Sequence, residues 1–271
     1  MMLNEKLEKL KSNIKKTNGL AIAFSGGVDS TFLLKVAHEV LGDRVIAVTA
    51  RSSTYPEREF REAVNFAGSL GTKHVVITSE ELDIEGFADN PVNRCYFCKN
   101  ELFTKILDVA KEYDIEYVAD GSNVDDLGDY RPGMKAVKEL GVISPLKEVG
   151  MTKEDIRILS REMDLPTWDK PAFACLSSRF PYGHKITREK LEMVDKAEQF
   201  LLDLGFKQVR VRHHGDIARI EVSTKERSKF FDEELMDNVN KRFKEIGFTY
   251  VSLDLKGYRT GSMNETIDVN A

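Results

Sequence analysis

Leu3, Leu7, Leu10 and Ile14 recur at helical spacing with charged residues between them, so the chain is expected to open with an amphipathic helix. The pattern then changes. Leu20-Ala-Ile-Ala-Phe24 is a short apolar run closed by Ser25-Gly-Gly27, the mark of a buried strand that ends in a tight turn. The same alternation repeats downstream. Phe32, Leu33, Val36, Ala37 and Val40 share one face of a helix expected over 30–41, and a strand is expected over 45–49. A helix behind Pro56 should run to Gly71, followed by a strand over 74–78, a helix over 99–113 and a strand over 117–121. Residues 142–144 read as a short fifth strand. A helix over 152–163 follows, with Thr152 and Asp155 as its capping pair.

Strands that alternate with helices, and that are apolar throughout rather than alternately polar, predict an α/β unit: a doubly wound parallel sheet covered on both faces. The alternation stops near Pro181-Tyr-Gly183. Beyond it the order is helix (187–204), strand (207–213), strand (217–222), helix (225–246) and strand (249–255). This α-β-β-α-β order predicts a second, smaller α+β domain, so the expected division is 1–180 and 181–271. No internal repeat is visible.

A length of 271 residues is consistent with two domains. The 40 basic against 45 acidic side chains leave a net charge of −5, which counts against a dedicated nucleic-acid binder. No apolar run is long enough to cross a bilayer, and the N-terminal stretch has no apolar core of the kind a secretory signal needs. A cytoplasmic location is expected. The three cysteines are Cys95, Cys98 and Cys175, and an odd set in a reducing compartment points to metal or reactive chemistry rather than to a disulfide framework.

Ser25-Gly-Gly-Val-Asp-Ser30 is the most informative segment, because it follows a strand and opens a helix. Its glycines can turn successive N–H groups toward one anion, and the helix start adds unpaired donors and the positive end of its dipole. It lacks the lysine of Gly-x-x-x-x-Gly-Lys-Ser/Thr and is not Gly-x-Gly-x-x-Gly. A plain strand–helix turn with an N-cap is the competing reading.

The segment resembles the pyrophosphate loop of the ATP pyrophosphatase (PP-loop) superfamily, which includes NAD and GMP synthetases, argininosuccinate synthetase and several tRNA thiolases. That resemblance implies cleavage of ATP between its α and β phosphates and adenylation of a substrate oxygen. It assigns the phosphates to Ser25, Gly26, Gly27, Asp29 and Ser30, with Asp29 helping to hold Mg2+. Three further segments narrow the resemblance to the LarE family, over nearly the whole chain. They are Asp120-Gly-Ser-Asn-Val-Asp-Asp-Leu-Gly-Asp-Tyr-Arg-Pro-Gly-Met134, Pro171-Ala-Phe-Ala-Cys-Leu-Ser-Ser-Arg179 and Leu253-Asp-Leu-Lys-Gly-Tyr-Arg-Thr-Gly-Ser-Met-Asn264. The family's reaction is sulfur transfer to the two carboxylates of pyridinium-3,5-biscarboxylic acid mononucleotide, each through an acyl adenylate, on the way to the nickel-pincer nucleotide. Thr49, Gly121, Ser122, Asn123 and Asp126 end strands two and four, where a doubly wound sheet presents ligands, and are expected to border the adenosine. For Asp125 and Asp126 a helix cap is the alternative.

Many relatives carry one cysteine, matching Cys175, that is consumed as a sacrificial sulfur donor. Cys95 and Cys98 depart from that pattern, and the chain is similar to a three-cysteine subgroup associated with a 4Fe-4S cluster. Three thiolates would leave one iron to carry a hydrosulfide. Sacrificial chemistry at Cys175, a redox pair at 95/98 that regenerates a persulfide, a zinc site and three unrelated thiols stay open beside it. Arg94 and Lys99 flank the pair.

On the substrate side, Arg210 and Arg212 share one strand face and suit a phosphate, and the resemblance places the nucleotide's phosphate there. An ordinary solvated face is the alternative. Ser178 and Arg179 are candidates for the acyl-adenylate phosphate, and Glu198 is a candidate acid or base. His213 and His214 end the same strand, and Trp168 reads as core or pocket wall. The expected partners are a small nucleotide and sulfide or a sulfide donor, with neither membrane nor nucleic acid among them. The resemblance implies a homo-oligomer. A tRNA thiolase, an amidotransferase-type synthetase and a non-catalytic ATP-binding or iron–sulfur regulator are the competing functions.

Overall fold

The computed structural model of the chain describes residues 2–128, 132–172, 175–259 and 261–262. The chain forms two compact units, Met1–Glu80 with Asn93–Phe173, and Glu81–Val92 with Ala174–Ala271. The division differs from the single cut expected at 180/181 for two physical reasons. Leu176 and Phe180 pack in the core of the second unit. The excursion 81–92 is tied to the same unit: Asn90 Nδ2 donates to the carbonyls of Phe180 (3.2 Å) and Pro181 (2.7 Å), and Ile186 N donates to Ala88 O (2.8 Å).

In the first unit, α1 (Leu3–Thr17) precedes β1 (Leu20–Ala23), α2 (Val28–Leu41), β2 (Val45–Arg51), α3 (Glu57–Leu70), β3 (Lys73–Thr78), α4 (Arg94–Glu112), β4 (Tyr117–Ala119), α5 (Gly133–Glu139), α6 (Pro145–Glu148) and α7 (Lys153–Glu162). The four strands are parallel, in the order β3-β2-β1-β4. The expected fifth strand is reduced to one parallel bridge between Ile143 and Ala119. Alternate residues of β1 and β2 face opposite layers. Leu20, Ile22, Val45 and Ala47 pack with α1, α2, α3 and α7, whereas Ala21, Ile46 and Val48 pack with α4 and α5. Because both faces are covered, the strands are apolar throughout, as their sequence indicated. The winding direction reverses between β1 and β4, which places a crevice at their carboxyl ends.

Two differences from the sequence reading bear on the site. Helix α4 starts at Arg94 rather than 99, so Cys95 and Cys98 lie inside its first turns. Trp168, expected as core or pocket wall, is 38% exposed and so not core, with the Arg161 guanidinium 5.0 Å over its ring.

The second unit holds α8 (Arg188–Asp203), β5 (Val209–His214), β6 (Ile217–Val222), α9 (Glu233–Ile246) and β7 (Tyr250–Leu253). Its sheet runs β5-β6-β7, antiparallel then parallel. The long helix expected over 225–246 is broken at Asp232, whose side chain accepts from Leu235 N and caps α9. His213 lies between Phe180, stacked at 5.1 Å, and Phe248, tilted at 5.5 Å, in this core. Among the described residues no helix is long and apolar enough to cross a membrane.

Candidate active site

After β1, Phe24 N still donates to Val48 O (2.8 Å), and then the chain leaves the sheet. Gly26 takes a left-handed conformation, φ +62, with its α-carbon against α3: a β-carbon here would lie 3.0 Å from Ala63 Cβ and 3.2 Å from Ala63 Cα. Only glycine fits both the angle and the space. Gly27 is extended and caps α2 without a side-chain bond, and Thr31 N to Gly27 O (2.9 Å) closes the first turn. The amides of that turn therefore have no acceptor within the helix and form an anion seat. Ser25 Oγ and Ser30 Oγ lie 3.2 Å apart at its rim, and Ser30 Oγ also donates to Gly27 O. The loop is braced from outside by Tyr55, whose hydroxyl donates to Ser25 O at 2.7 Å. Burial, with Glu59 and Glu62 nearby, pushes that phenol well above its ordinary value, so it remains a donor.

The opposite wall comes from the end of β4. A β-carbon on Gly121 would meet Ser30 N at 3.1 Å and Ser30 Cα at 3.3 Å, so this residue abuts the first turn of α2. Asn123 Nδ2 reaches Asp29 Oδ1 at 3.3 Å. Ser122 donates through its hydroxyl to Asp120 (2.6 Å), which also accepts from Ser144 Oγ (2.7 Å). Asp126 accepts from Asn123 N (3.0 Å), a local cap. Thus Gly121, Asn123 and Asp29 are gathered at one place, and Ser122 and Asp126 shape the turn beside them. Thr49 is 1% exposed; its hydroxyl donates to Phe24 O (2.7 Å) and is met by His74 Nε2 (2.8 Å). It fixes the strand end from which the loop departs.

Two lysines at the loop carried no signal in the local sequence. Lys153, the first residue of α7, places Nζ 2.5 Å from Asp29 Oδ2. Lys170 bonds Gly26 O (3.2 Å) and pairs with Glu59 (2.7 Å) and Glu62 (2.6 Å). Each is remote in sequence and reaches the loop only through the fold.

Cys95 and Cys98 stand three residues apart on the first turns of α4, the former exposed and the latter half-buried. Two thiols so spaced share one helix face and could chelate one metal or cluster edge. Cys175 is exposed, in the other unit. Among the described residues no group of three or more His, Cys, Asp or Glu side chains is assembled that could hold a metal ion. The expected three-thiolate set has two members in the first unit and one in the second.

In the second unit, Arg179 is fully buried and forks onto Glu198: Nε to Oε1 and Nη2 to Oε2, both 2.8 Å. Its third nitrogen donates to Ser178 Oγ (2.9 Å) and to Cys175 O (3.2 Å), so it fixes the turn that carries the thiol. Burial opposes the charge on Glu198, but Arg179 and then Arg210 hold its carboxyl below the usual value; Glu198 also accepts from Val211 N (2.9 Å). Arg210 and Arg212 share a face of β5 as expected, yet both are buried, not solvated. Arg212 pairs with Glu221 (2.7 Å) and bonds Ser178 O (3.0 Å) and Ser262 Oγ (2.9 Å). Arg210 lies 5.1 Å from the Tyr258 ring, and burial with Arg179 nearby brings its pKa down to about 10. Among the described residues, three buried guanidiniums thus surround two buried carboxylates beside Ser178.

A depression of about 650 Å³, lined in part by His38, Arg44, Lys73 and Tyr113, opens at the amino-terminal edge of the first sheet, opposite the loop. Volume alone does not locate the site. Parts of the three diagnostic segments, namely 129–131, 173–174, 260 and 263–264, lie outside the described residues.

Comparison with known proteins agrees with this geometry. The sequence profile of the NAD synthase family matches residues 2–91, which include the loop. A pyridinium-3,5-bisthiocarboxylic acid mononucleotide synthase of Lactiplantibacillus plantarum is 40% identical, over 98% of this chain and 96% of its own. An uncharacterized protein of Synechocystis is 44% identical over 98% and 99%. A glutamine-hydrolyzing GMP synthase polypeptide of Archaeoglobus fulgidus is 27% identical over 72% and 67%.

Proposed function

The chain belongs to the LarE family of PP-loop enzymes, and on that premise we propose that it converts the carboxylates of pyridinium-3,5-biscarboxylic acid mononucleotide to thiocarboxylates at the expense of ATP. The end-to-end match with the L. plantarum synthase carries this reading, and a glycine loop on a helix N-terminus at the switch point supports it.

In the proposed reaction a substrate carboxylate oxygen attacks the α-phosphorus of ATP, and pyrophosphate leaves. The amides around Gly26 and Gly27, with the hydroxyls of Ser25 and Ser30, bind the departing pyrophosphate. Asp29 would hold Mg2+, which would supply positive charge to the phosphates. Gly121, Ser122 and Asn123 border the nucleotide, while Thr49 and Asp126 position the backbone around it. A sulfur nucleophile then attacks the acyl carbon and expels AMP. In the second unit, Arg210, Arg212 and Ser178 are assigned to substrate phosphate. Arg179 positions the Cys175 turn, and Glu198, held ionised, positions Arg179 rather than moving protons.

Cys175 is assigned to the sulfur site. Cys95, Cys98 and Cys175 would be the protein ligands of a 4Fe-4S cluster, which would leave one iron to carry a hydrosulfide; sulfur donation by Cys175 itself is the alternative. Iron and acid-labile sulfide analysis of anaerobically purified protein reads that point, and an intact mass after turnover reads loss of sulfur from Cys175.

The test is pyrophosphate release from Mg·ATP with the biscarboxylate nucleotide and sulfide, followed by mass spectrometry of the product. Nucleotide-dependent release with oxygen replaced by sulfur is expected. Release that needs tRNA, with salt-sensitive retardation of tRNA, would replace this reading by a tRNA thiolase.

A further inference from the structure

The residue that makes the glycine loop possible also leaves it free to invert. Gly26 has no β-carbon, so the peptides beside it can turn either their carbonyls or their amides toward a ligand. We propose that Glu59 is a positioning residue for the pyrophosphate seat. With Glu62 it holds Lys170, which together with Tyr55 grips two loop carbonyls from outside and aims the Gly26 and Gly27 amides at the phosphates; this rests on the ATP reading above.

A trans peptide is planar, so its C=O and N–H point in opposite directions. Tyr55 Oη donates to Ser25 O at 2.7 Å, which directs Gly26 N–H to the other side. Lys170 Nζ donates to Gly26 O at 3.2 Å, which does the same for Gly27 N–H. The left-handed Gly26 between these peptides keeps both N–H groups on one side of the loop. Among the described residues neither amide has an acceptor. Two such donors ahead of α2 attract a phosphate, whereas an inverted peptide would set a carbonyl oxygen against it.

One face of α3 supplies the anchor. Glu59, Glu62 and Ala63 recur at helical spacing, and Ala63 is the residue against which Gly26 packs. Lys170 Nζ lies 2.7 Å from Glu59 Oε2 and 2.6 Å from Glu62 Oε2. Glu59 is 2% exposed, so water and salt screen its pull on the ammonium little. Arg157, on α7, donates to Trp168 O and Lys170 O, both at 2.7 Å, and so holds the backbone from which the lysine reaches. Burial, and then Glu59 and Glu62, keep the Tyr55 phenol protonated and therefore a donor. The same two carboxylates thus support both grips.

The test uses full-length protein carrying Glu59→Gln or Tyr55→Phe, the latter removing a single hydroxyl. Mg·pyrophosphate, Mg·ATP and AMP are titrated by calorimetry, and Tm is recorded for each variant. A misaligned seat should be felt by pyrophosphate and ATP but not by AMP, which lacks the phosphates that the seat takes. Each variant should bind Mg·pyrophosphate about five- to twenty-fold more weakly, equivalent to ~1–1.8 kcal/mol, with AMP affinity unchanged within about two-fold. Equal losses for pyrophosphate and AMP would assign these side chains to the fold alone and overturn the proposal. Unchanged pyrophosphate affinity in Glu59→Gln overturns the role of the carboxylate, and in Tyr55→Phe that of the hydroxyl. Wild-type protein that binds neither Mg·ATP nor Mg·pyrophosphate would overturn the ATP reading, and this proposal with it.

Discussion

Gly26→Ala tests the packing of the phosphate loop. The native φ of +62 costs a residue with a β-carbon ~1–2 kcal/mol. The new carbon would also sit 3.0 Å from Ala63 Cβ, about half an ångström inside normal contact, with Ala63 Cα at 3.2 Å. Both partners are anchored, Ala63 in the middle of α3 and Gly26 by the Lys170 bond to its carbonyl. A total of ~2–3 kcal/mol is expected, or a fall of roughly 4–12 °C in Tm. The seat should suffer more than the fold, because relief of the contact turns the loop amides away from their common target. Adding Ala63→Gly removes the closest atom but leaves the backbone angle strained and weakens α3 by ~0.5–1 kcal/mol. The two substitutions should therefore couple by ~0.5–1.5 kcal/mol in a double-mutant cycle measured by urea denaturation, with Mg·ATP affinity followed by calorimetry. Strict additivity, together with wild-type ATP affinity in Gly26→Ala, would refute the described contact between loop and helix.

Gly121→Ala should leave the fold near wild-type stability but weaken Mg·ATP binding several-fold, since its methyl would press on Ser30 N at 3.1 Å; calorimetry on the folded variant checks this. Glu198→Gln should cost ~3–5 kcal/mol in a denaturant titration, because it strands the fully buried Arg179 charge, and replacing both residues by apolar ones should cost less. Lys170→Met should cost ~1–3 kcal/mol and also lower ATP affinity, since it removes an ion-pair partner of the buried Glu59 and releases Gly26 O. Burial and then Lys190 bring the His213 pKa to about 4, so the unfolded chain binds the extra proton between pH ~6.5 and about 4. Stability should accordingly fall by ~3 kcal/mol as pH drops through that window, and His213→Phe should flatten the slope in denaturation curves taken across it.

How much was legible in the chain depends on the range of the interaction concerned. The strands and most helices could be read locally, because a doubly covered sheet demands unbroken apolar runs and its helices an apolar stripe. The Thr152–Asp155 cap and the glycine loop follow from side chains three or fewer residues apart, and α3 has the span expected of it. The start of α4 was missed because nothing but the helix itself marks Arg94 as its first residue. The join of 81–92 to the second unit was missed because it rests on Asn90 reaching the carbonyls of Phe180 and Pro181.

The candidate site divides in the same way. Ser25, Gly26, Gly27, Asp29 and Ser30 form a contiguous loop, so its anion-binding character is a local property of backbone and helix dipole. Sequence alone also carried the pairing of Arg210 with Arg212, which follows from the two-residue period of a strand. What stands opposite those groups required the tertiary structure. Gly121 against Ser30, Lys153 on Asp29, Lys170 under Gly26 and the two carboxylates among three arginines are contacts between distant segments. A charge in a sequence has no partner until folding excludes the water that would otherwise solvate it. Only then does its neighbour decide whether it binds a ligand, braces a loop or neutralises another side chain.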